Sequence, residues 1–461
     1  MKPRIFAFVF LFTLSIIIPL TAQAASSNIS PTANILWTIQ SLTSDAGTIT
    51  NLSTGFVGDN QVPLIIYTKS GVDRIYEAFH ETTFYPGNCG VDNSWFCFEN
   101  YMWVGINSST LSELAVYNHY SESPVENMVG YVYETDNKIF AVRDFRGNDM
   151  ESLASSQFHI IQLDKFGTDI VGALSLQYDI NGKERVALTV KDGGIYKLVY
   201  MSYTGIDNTT CTDFASPYQC DVIDSSFAAM GEPSLKVSPS GAFTAIAYTK
   251  AGSLYYAHPE SEIAEANCGP GGNTWRCKYI WNSGADSHVV DGVDLEMYDL
   301  IQVAFLEDRT DINQTSLILA NYVRNYGNCG EDNDWNCQVI QTLGDDSQDY
   351  DFSLQIEEKE MNYAVIAYSY MDTVLKLGLT YPKERIGETS GNCDNTDWVC
   401  QEIAGSSGGF ILAANGKLAS LALDDYGLGL IGYIQTVPLV RTSLMIGFQE
   451  QMTQYLPLIK H

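Results

Sequence analysis

The sequence predicts an all-β fold: a seven-bladed β-propeller of four-stranded antiparallel blades, closed by an N-terminal strand that joins the last blade. Three observations predict it. The 461 residues carry one unit repeated about every 60 residues, the mark of stacked supersecondary units. Each unit holds short β-branched and aromatic runs separated by Gly, Asp, Lys and Thr turns. After residue 24 no long amphipathic helical pattern appears.

The chain opens on a basic head, Met1-Lys2-Pro3-Arg4, then an apolar run over 5–20 and the small-x-small triplet Ala22-Gln23-Ala24. This is the pattern of a secretory signal peptide over 1–24. The apolar run is short for a bilayer span of about 20 residues. No Cys follows the cleavage site, and no later stretch is long and apolar enough to cross a membrane. The expectation is a secreted protein, extracellular or at a cell surface, where disulfides persist. Losing Lys2 and Arg4 takes the formal charge from −30 to −32. A chain this acidic offers no basic surface to phosphate backbones, which argues against nucleic acid as a partner.

One propeller domain is expected over residues 33–455. Its first marker is a cysteine hairpin. Four cysteine pairs share one spacing rule: Cys89 with Cys97, Cys268 with Cys277, Cys329 with Cys337 and Cys393 with Cys400. Each places a Trp two residues before the second Cys, at Trp95, Trp275, Trp335 and Trp398. Cys211 with Cys220 keeps the rule through Tyr218, and Phe158 continues the series where cysteines fail, with Ile160 in the second Cys place. The seventh aromatic is displaced to the front, where Trp37-Thr38-Ile39-Gln40-Ser41-Leu42 resembles Trp335-Asn336-Cys337-Gln338-Val339-Ile340. Residues 34–42 are therefore expected beside 442–450, leaving no unpaired blade edge.

Two further series share the period. One runs Tyr67, Tyr133, Val190, Tyr248, Phe305, Tyr368, Tyr433; the next runs Ile75, Ile139, Ile195, Leu254, Leu317, Leu375, Leu444. A fourth run precedes them, as in Pro233-Ser234-Leu235-Lys236-Val237-Ser238. Phe243-Thr244-Ala245-Ile246-Ala247-Tyr248 is apolar on both faces, as a strand sandwiched between neighbouring blades must be. Four antiparallel strands per unit make a propeller blade.

All ten cysteines fall into the five local pairs, so five disulfides are expected. The rival is thiolate zinc, but structural zinc favours two to four residues between cysteines, not the six to eight found here. The Trp is expected to pack over the disulfide at the blade's lower edge.

Phrases such as Pro233-Ser234-Leu235-Lys236-Val237-Ser238-Pro239-Ser240-Gly241, Ile246-Ala247-Tyr248 and Gly252-Ser253-Leu254-Tyr255-Tyr256-Ala257 resemble secreted bacterial propeller repeats related to the BNR or Asp-box repeats of sialidases. The resemblance covers about residues 33–450. The Cys…Trp-x-Cys hairpin takes the turn an Asp-box would occupy. No copy matches Ser-x-Asp-x-Gly-x-Thr-Trp, and the Arg-Ile-Pro motif and an evident arginine triad are missing. Sialidases also have six blades. The resemblance therefore implies the fold and not the catalysis.

In a propeller, the turns between second and third strands share a face with the inter-blade connections. That face is expected to carry Arg74, Asp136, Lys191, Asp192, Lys250, Asp308, Arg309 and Asp372. These residues differ from blade to blade, which suits one composite site better than a repeated lectin set. The expected ligand is an extracellular glycan or cell-surface protein, bound without catalysis. The alternative is a sialidase-like or other glycoside hydrolase, which needs two carboxylates about 5–10 Å apart, with Asp308, Asp349 and Asp372 as candidates. Two acid-rich inter-blade loops, around Asp286, Asp291 and Asp294 and around Asp345, Asp346, Asp349 and Asp351, could hold Ca²⁺, with Asp291, Asp294, Asp349 and Asp351 as ligands. The alternative is ordinary solvated acid. No other cofactor is expected. Gly427-Leu428-Gly429-Leu430-Ile431-Gly432 fits G-x-G-x-x-G but falls on an expected strand. Gly405-Ser406-Ser407-Gly408-Gly409 fits G-x-S-x-G, but only His461 follows it, so a loop between blades is expected. Asn51, Asn107, Asn208 and Asn313 head glycan-acceptor triplets.

Overall fold

The structure is a computed structural model. It describes residues 37–43, 49–58, 61–69, 74–80, 86–100, 110–117, 127–135, 138–146, 154–161, 166–167, 169–212, 216–241, 243–260, 267–268, 274–282, 287–345, 350–357, 362–371, 375–404, 419–425, 427–437 and 441–449. Residues 1–24, the expected signal peptide, lie outside the described residues, as does the segment 405–409.

The described residues form seven four-stranded antiparallel sheets. The inner strands of blades 1 to 7 are Ile49–Val57, Ala115–Tyr117, Asp169–Tyr178, Ser234–Val237, His288–Met297, Phe352–Glu357 and Ala419–Leu423. The outer strands are Trp95–Asn100, Ala154–Ile161, Ser216–Ser226, Trp275–Trp281, Trp335–Gly344, Trp398–Ala404 and, for blade 7, Trp37–Thr43. The inner strand of blade 7 packs against that of blade 1, so the sheets close into a ring. As expected, the ring is sealed by pairing the front of the chain with its back. Trp37 lies opposite Gln449 and Ser41 opposite Met445.

The core is divided among the seams. Seven hydrophobic clusters lie one between each pair of neighbouring blades. This explains why second strands are apolar on both faces. In blade 4, Ala245 and Ala247 join the cluster shared with blade 5, while Ile246 and Tyr248 join the cluster shared with blade 3. The following turn has positive φ at both central residues, Ala251 (53°) and Gly252 (74°), which matches strand twist in a two-residue hairpin. Gly427 to Gly432 runs into the second strand of blade 7, Gly429–Val437, as expected.

Outer strands carry a shared irregularity. Residues five apart normally face opposite sides of a strand. Yet Trp275 and Ile280, Trp335 and Ile340, Trp398 and Ile403, Tyr218 and Ile223 are all buried. In blades 3 to 6 a register shift between third and outer strand leaves one extra residue, and the isoleucine turns inward with the aromatic. Leu42 repeats the device in blade 7.

All five expected disulfides form, and no cysteine is left as a thiolate for zinc. Cys89 bonds Cys97 across a Cα–Cα distance of 5.9 Å, and Cys211 bonds Cys220 across 5.0 Å. Cys268 bonds Cys277 across 5.6 Å, Cys329 bonds Cys337 across 5.9 Å and Cys393 bonds Cys400 across 5.1 Å. The residue before the first Cys completes each hairpin. The side-chain oxygens of Asn88, Asn267, Asn328 and Asn392 accept the N–H of Cys97, Cys277, Cys337 and Cys400 at 2.6–2.7 Å. Their amide nitrogens donate to the carbonyls of the same four cysteines at 2.9–3.0 Å. Thr210 supplies the acceptor half for Cys220, at 2.9 Å.

The hairpin Trp clusters with its own cysteines, as expected. It is also a wedge between blades. Trp95 packs on Phe448 of blade 7, Trp275 on Tyr200 of blade 3 and Trp335 on Tyr256 of blade 4. The hairpins also dock on the preceding outer strand. Gly90 N–H donates to the Leu42 carbonyl at 2.9 Å and Asn395 N–H to the Ile340 carbonyl at 3.1 Å. The bulge that turns Ile340 or Leu42 inward leaves that carbonyl for the next hairpin, so covalent loops and bulges together make an outer belt.

Candidate functional site

An inner belt surrounds the axis. Inner strands have a free edge, and its N–H groups need partners. Serines of the neighbouring blade reach across. The hydroxyls of Ser53, Ser175, Ser234, Ser353 and Ser420 accept the backbone N–H of Leu114, Leu235, Leu295, Leu421 and Thr54, at 2.8–3.2 Å. Asp294 takes the serine place in blade 5 and accepts Leu354 N–H at 2.8 Å. A Ser-Leu dipeptide recurring near the 60-residue period was the available signal, and it stands outside the motifs weighed above.

Asp294 is 4 % exposed. Burial pushes its carboxyl up to about 7, against the opposing pull of the Lys236 ammonium. Burial lowers the pKa of Lys236, but Glu296 and Asp294 outweigh it and raise the ammonium's pKa overall. Lys236 bonds Glu296 at 2.7 Å, and Gln355 donates to the same oxygen at 3.1 Å. Blade 4 is thus tied to blade 5 by an ion pair, and blade 5 to blade 6 by a side-chain hydrogen bond, as well as by the belt.

The expected calcium ligands fall largely elsewhere than on loops. Asp291 and Asp294 lie within the strand His288–Met297, because a bulge at Gly292 (φ 68°) absorbs the acid-rich stretch into the ladder. Both Asp294 oxygens accept hydrogen bonds, from Leu354 N–H and from the Ser234 hydroxyl at 3.3 Å. Asp351 accepts Phe352 N–H at 2.9 Å and Ala419 N–H at 3.2 Å. Asp286, Asp346 and Asp349 lie outside the described residues. Among the described residues no three acidic, His or Cys side chains surround a common point.

The upper-face residues divide into three sets. Asp136 and Asp372 lie outside the described residues. Arg74, Asp308 and Arg309 are tied within their own blades: Arg74 to Glu99, Asp308 to the Thr315 hydroxyl at 2.6 Å, and Arg309 to Asp311 at 3.1 Å. Asp192 pairs with Lys197 at 2.7 Å. Lys191 and Lys250 are brought to opposite walls of one seam, between blades 3 and 4.

That seam has aromatic walls. On blade 3, Lys191 lies opposite Tyr196 and Tyr196 opposite Ser226 in the ladder, with Phe227 following. The Lys191 ammonium sits 5.1 Å from the Tyr196 ring centre. On blade 4, Tyr248 stacks on Tyr255 at 5.6 Å, and the Lys250 ammonium lies 4.4 Å from the Tyr255 ring centre. One carboxylate joins the walls. Asp224 accepts the Tyr248 hydroxyl at 2.7 Å and Lys250 at 2.5 Å. Burial, then the Asp224 charge, raises the Tyr248 pKa well above the usual phenol value, so the hydroxyl stays a donor. The segment from Phe227 to Pro233 threads between the walls, held by Ala251 N–H to Ala229 O at 2.9 Å and Gly231 N–H to Thr249 O at 3.1 Å. Phe227 stands at its mouth, 84 % exposed.

Of the glycan-acceptor asparagines, Asn51 is buried in an inner strand and donates to Leu111 O at 3.3 Å. Asn208 is half-buried and Asn313 exposed, while Asn107 lies outside the described residues.

These sheets and seams define the class of protein, an all-β seven-bladed propeller. No protein-family profile matches the chain, and no curated protein matches it. Among solved structures the chain is similar to polysaccharide lyase Uly1, with TM-score 0.46 and 7 % identity over 88 % of this chain and 90 % of that one. It is similar to an arginine-to-alanine triple mutant of AofleA from Arthrobotrys oligospora, with TM-score 0.38 and 10 % identity over 89 % and 86 %. A third similarity is to core factor of S. cerevisiae, with TM-score 0.38 and 10 % identity over 92 % of this chain and 62 % of that one.

Proposed function

We propose that this protein is an extracellular, non-catalytic propeller that binds a glycan at the upper mouth of the seam between blades 3 and 4. One observation carries the reading: Phe227 stands exposed beside a seam lined by Tyr196 and Tyr255, each under a lysine ammonium. The exposed ring beside two half-buried tyrosines offers a ligand apolar surface rimmed by polar groups. Flat rings with nearby hydrogen-bonding groups suit a sugar, which presents apolar C–H faces and a hydroxyl rim. Five disulfides support an oxidising, extracellular setting. The two belts suit a rigid scaffold, which limits the ordering cost of binding.

A glycan array with purified protein, repeated with Phe227→Ala, tests it. Phe227 is exposed, so the substitution should change stability by no more than about 0.5 kcal/mol. Retention of a glycan by the wild type and its loss in the variant is the expected result. A folded wild type that retains no glycan, or a variant that retains it equally, would end the proposal. Turnover of chromogenic glycosides would refute the non-catalytic part and favour the glycosidase alternative. Calcium as a bound ion is carried as a proposal with its own readout, a rise in Tm on adding Ca²⁺ that EDTA reverses.

A further inference from the structure

We infer that this seam selects a neutral glycan and turns away one bearing carboxylates, and that Asp224 sets the selection. The inference rests on the seam being the glycan site and names what that site takes. Each lysine at the mouth stands with a carboxylate. Lys250 bonds Asp224 at 2.5 Å and Lys197 bonds Asp192 at 2.7 Å. Lys191 lies directly opposite Asp169 in the ladder of blade 3. Residues so placed share a face of the sheet, with Cβ atoms about 5 Å apart. Arg74 with Glu99 and Arg309 with Asp311 follow the same rule further round the upper face. These lysines and aspartates of the mouth cancel one another, in a chain whose net charge is −30.

Asp224 is the member that holds this balance in place. It is 7 % exposed and accepts both the Lys250 ammonium and the Tyr248 hydroxyl, at 2.5 and 2.7 Å. An ammonium has three N–H donors, and Asp224 takes one from Lys250. The others can meet sugar hydroxyls, which accept a hydrogen bond and bring no charge. A ligand carboxylate would have to draw Lys250 away, or share the ammonium with the carboxylate already bound to it. The first leaves a buried charge without its ion partner. The second sets like charges side by side. Both raise the free energy of the charged complex and leave a neutral one untouched. The exposed ring of Phe227 and the half-buried Tyr196 and Tyr255 attract both kinds of ligand alike, so the aspartates decide between them.

Calorimetry on the full chain compares tetrasaccharides of glucan, mannan and galactan with twins in which each C6 hydroxymethyl group is oxidised to a carboxylate. Wild type, Asp224→Asn, Asp169→Asn and Phe227→Ala are measured at about 0.01 M and about 0.15 M salt, where the Debye length falls from about 30 Å to about 8 Å. Wild type should bind one neutral member about ten-fold more tightly than its oxidised twin, and added salt should narrow that gap. D224N takes the carboxylate from Lys250 while keeping an oxygen for the Tyr248 hydroxyl. Its gap should shrink to about two-fold or reverse. D169N should narrow the gap in the same sense. Unfolding curves establish that each variant is native, and D169N, altered at an exposed residue, carries the test if D224N does not fold. An oxidised twin that binds wild type as tightly as its parent overturns the inference. So does a gap that survives in folded D224N, because a steric clash persists where a charge repulsion does not. Neutral and oxidised members bound alike, and both lost in F227A, sink the selectivity and leave the glycan site standing, whereas no binding of any member to the folded wild type sinks both.

Discussion

Asp294 stands where five other blades place a serine hydroxyl, and Asp294→Asn isolates what its charge does. Its pKa rises from 3.8 to about 7 on folding, chiefly through burial. A carboxyl with a higher pKa folded than unfolded holds its proton more tightly in the folded state. The stability it contributes is fully present below pH 4 and is lost as pH rises through 7. At about 1.4 kcal/mol for each pH unit that a pKa moves, the loss across this window is of order 4 kcal/mol. Lys236, its pKa raised, keeps its ammonium throughout, so its bond to Glu296 survives the change. Asparagine mimics the protonated acid. Its oxygen can accept Leu354 N–H, and its amide can donate to the Ser234 hydroxyl that already accepts Leu295 N–H. Urea unfolding at pH 5 and pH 8 is the assay. Wild type should lose stability between the two, and D294N should lose about 2–3 kcal/mol less, since about two pH units of the window lie above pH 5. Parallel profiles for the two proteins, or a wild type that gains more than D294N on going to pH 8, would refute the reasoning.

Further tests probe the seams and belts. Arg143 of blade 2 and Glu184 of blade 3 form a bidentate pair, at 3.0 and 2.8 Å, with side chains 12 % and 1 % exposed. Glu184→Gln leaves a buried guanidinium unpaired and should cost about 3–5 kcal/mol in urea unfolding, with much of it recovered when Arg143→Met is added. Trp335→Ala empties the wedge between blades 4 and 5 and should cost about 3–5 kcal/mol by the same measurement. Replacing Cys329 and Cys337 together by Ser should cost about 2–2.5 kcal/mol on a chain-entropy argument, read as a lower Tm under non-reducing conditions. Deleting residues 25–43 removes the outer strand of blade 7. The Tm should fall and unfolding should broaden, and an unchanged melting curve would show that closure contributes no stability.

Much of the fold was legible because its signals are periodic and local. The aromatic series placed each outer strand, and the likeness of Trp37-Thr38-Ile39-Gln40-Ser41-Leu42 to Trp335-Asn336-Cys337-Gln338-Val339-Ile340 placed the displaced one. The bulge gives that likeness its physical content, since Leu42 and Ile340 turn inward at the same step. The site was less legible. Lys191 and Lys250 were chosen as turn residues of separate blades, and nothing in their spacing announced a common seam or the Asp224 between its walls. Asp294 looked like a loop acid because Asp291 and Asp294 flank Gly292, a turn residue that here makes a bulge. Phe227 drew no attention, because one aromatic in a connecting segment looks the same exposed or buried.

By itself the sequence determined the number of blades, the order of strands within each and the pairing of every cysteine. Cys97, Cys277 and Cys400 each close on a partner within the same hairpin, so no distant contact had to be guessed. Those features follow from chain neighbours and from a repeat that each unit states for itself. Tertiary structure alone decided which polar groups meet. Ser234 reaches Leu295, Asp294 reaches Leu354, and Lys250 reaches Asp224 because the facing strands of adjacent blades come from residues about 26 to 61 apart. Those meetings depend on how one sheet sits against the next, a geometry set by the seven seam clusters together and written in no single repeat.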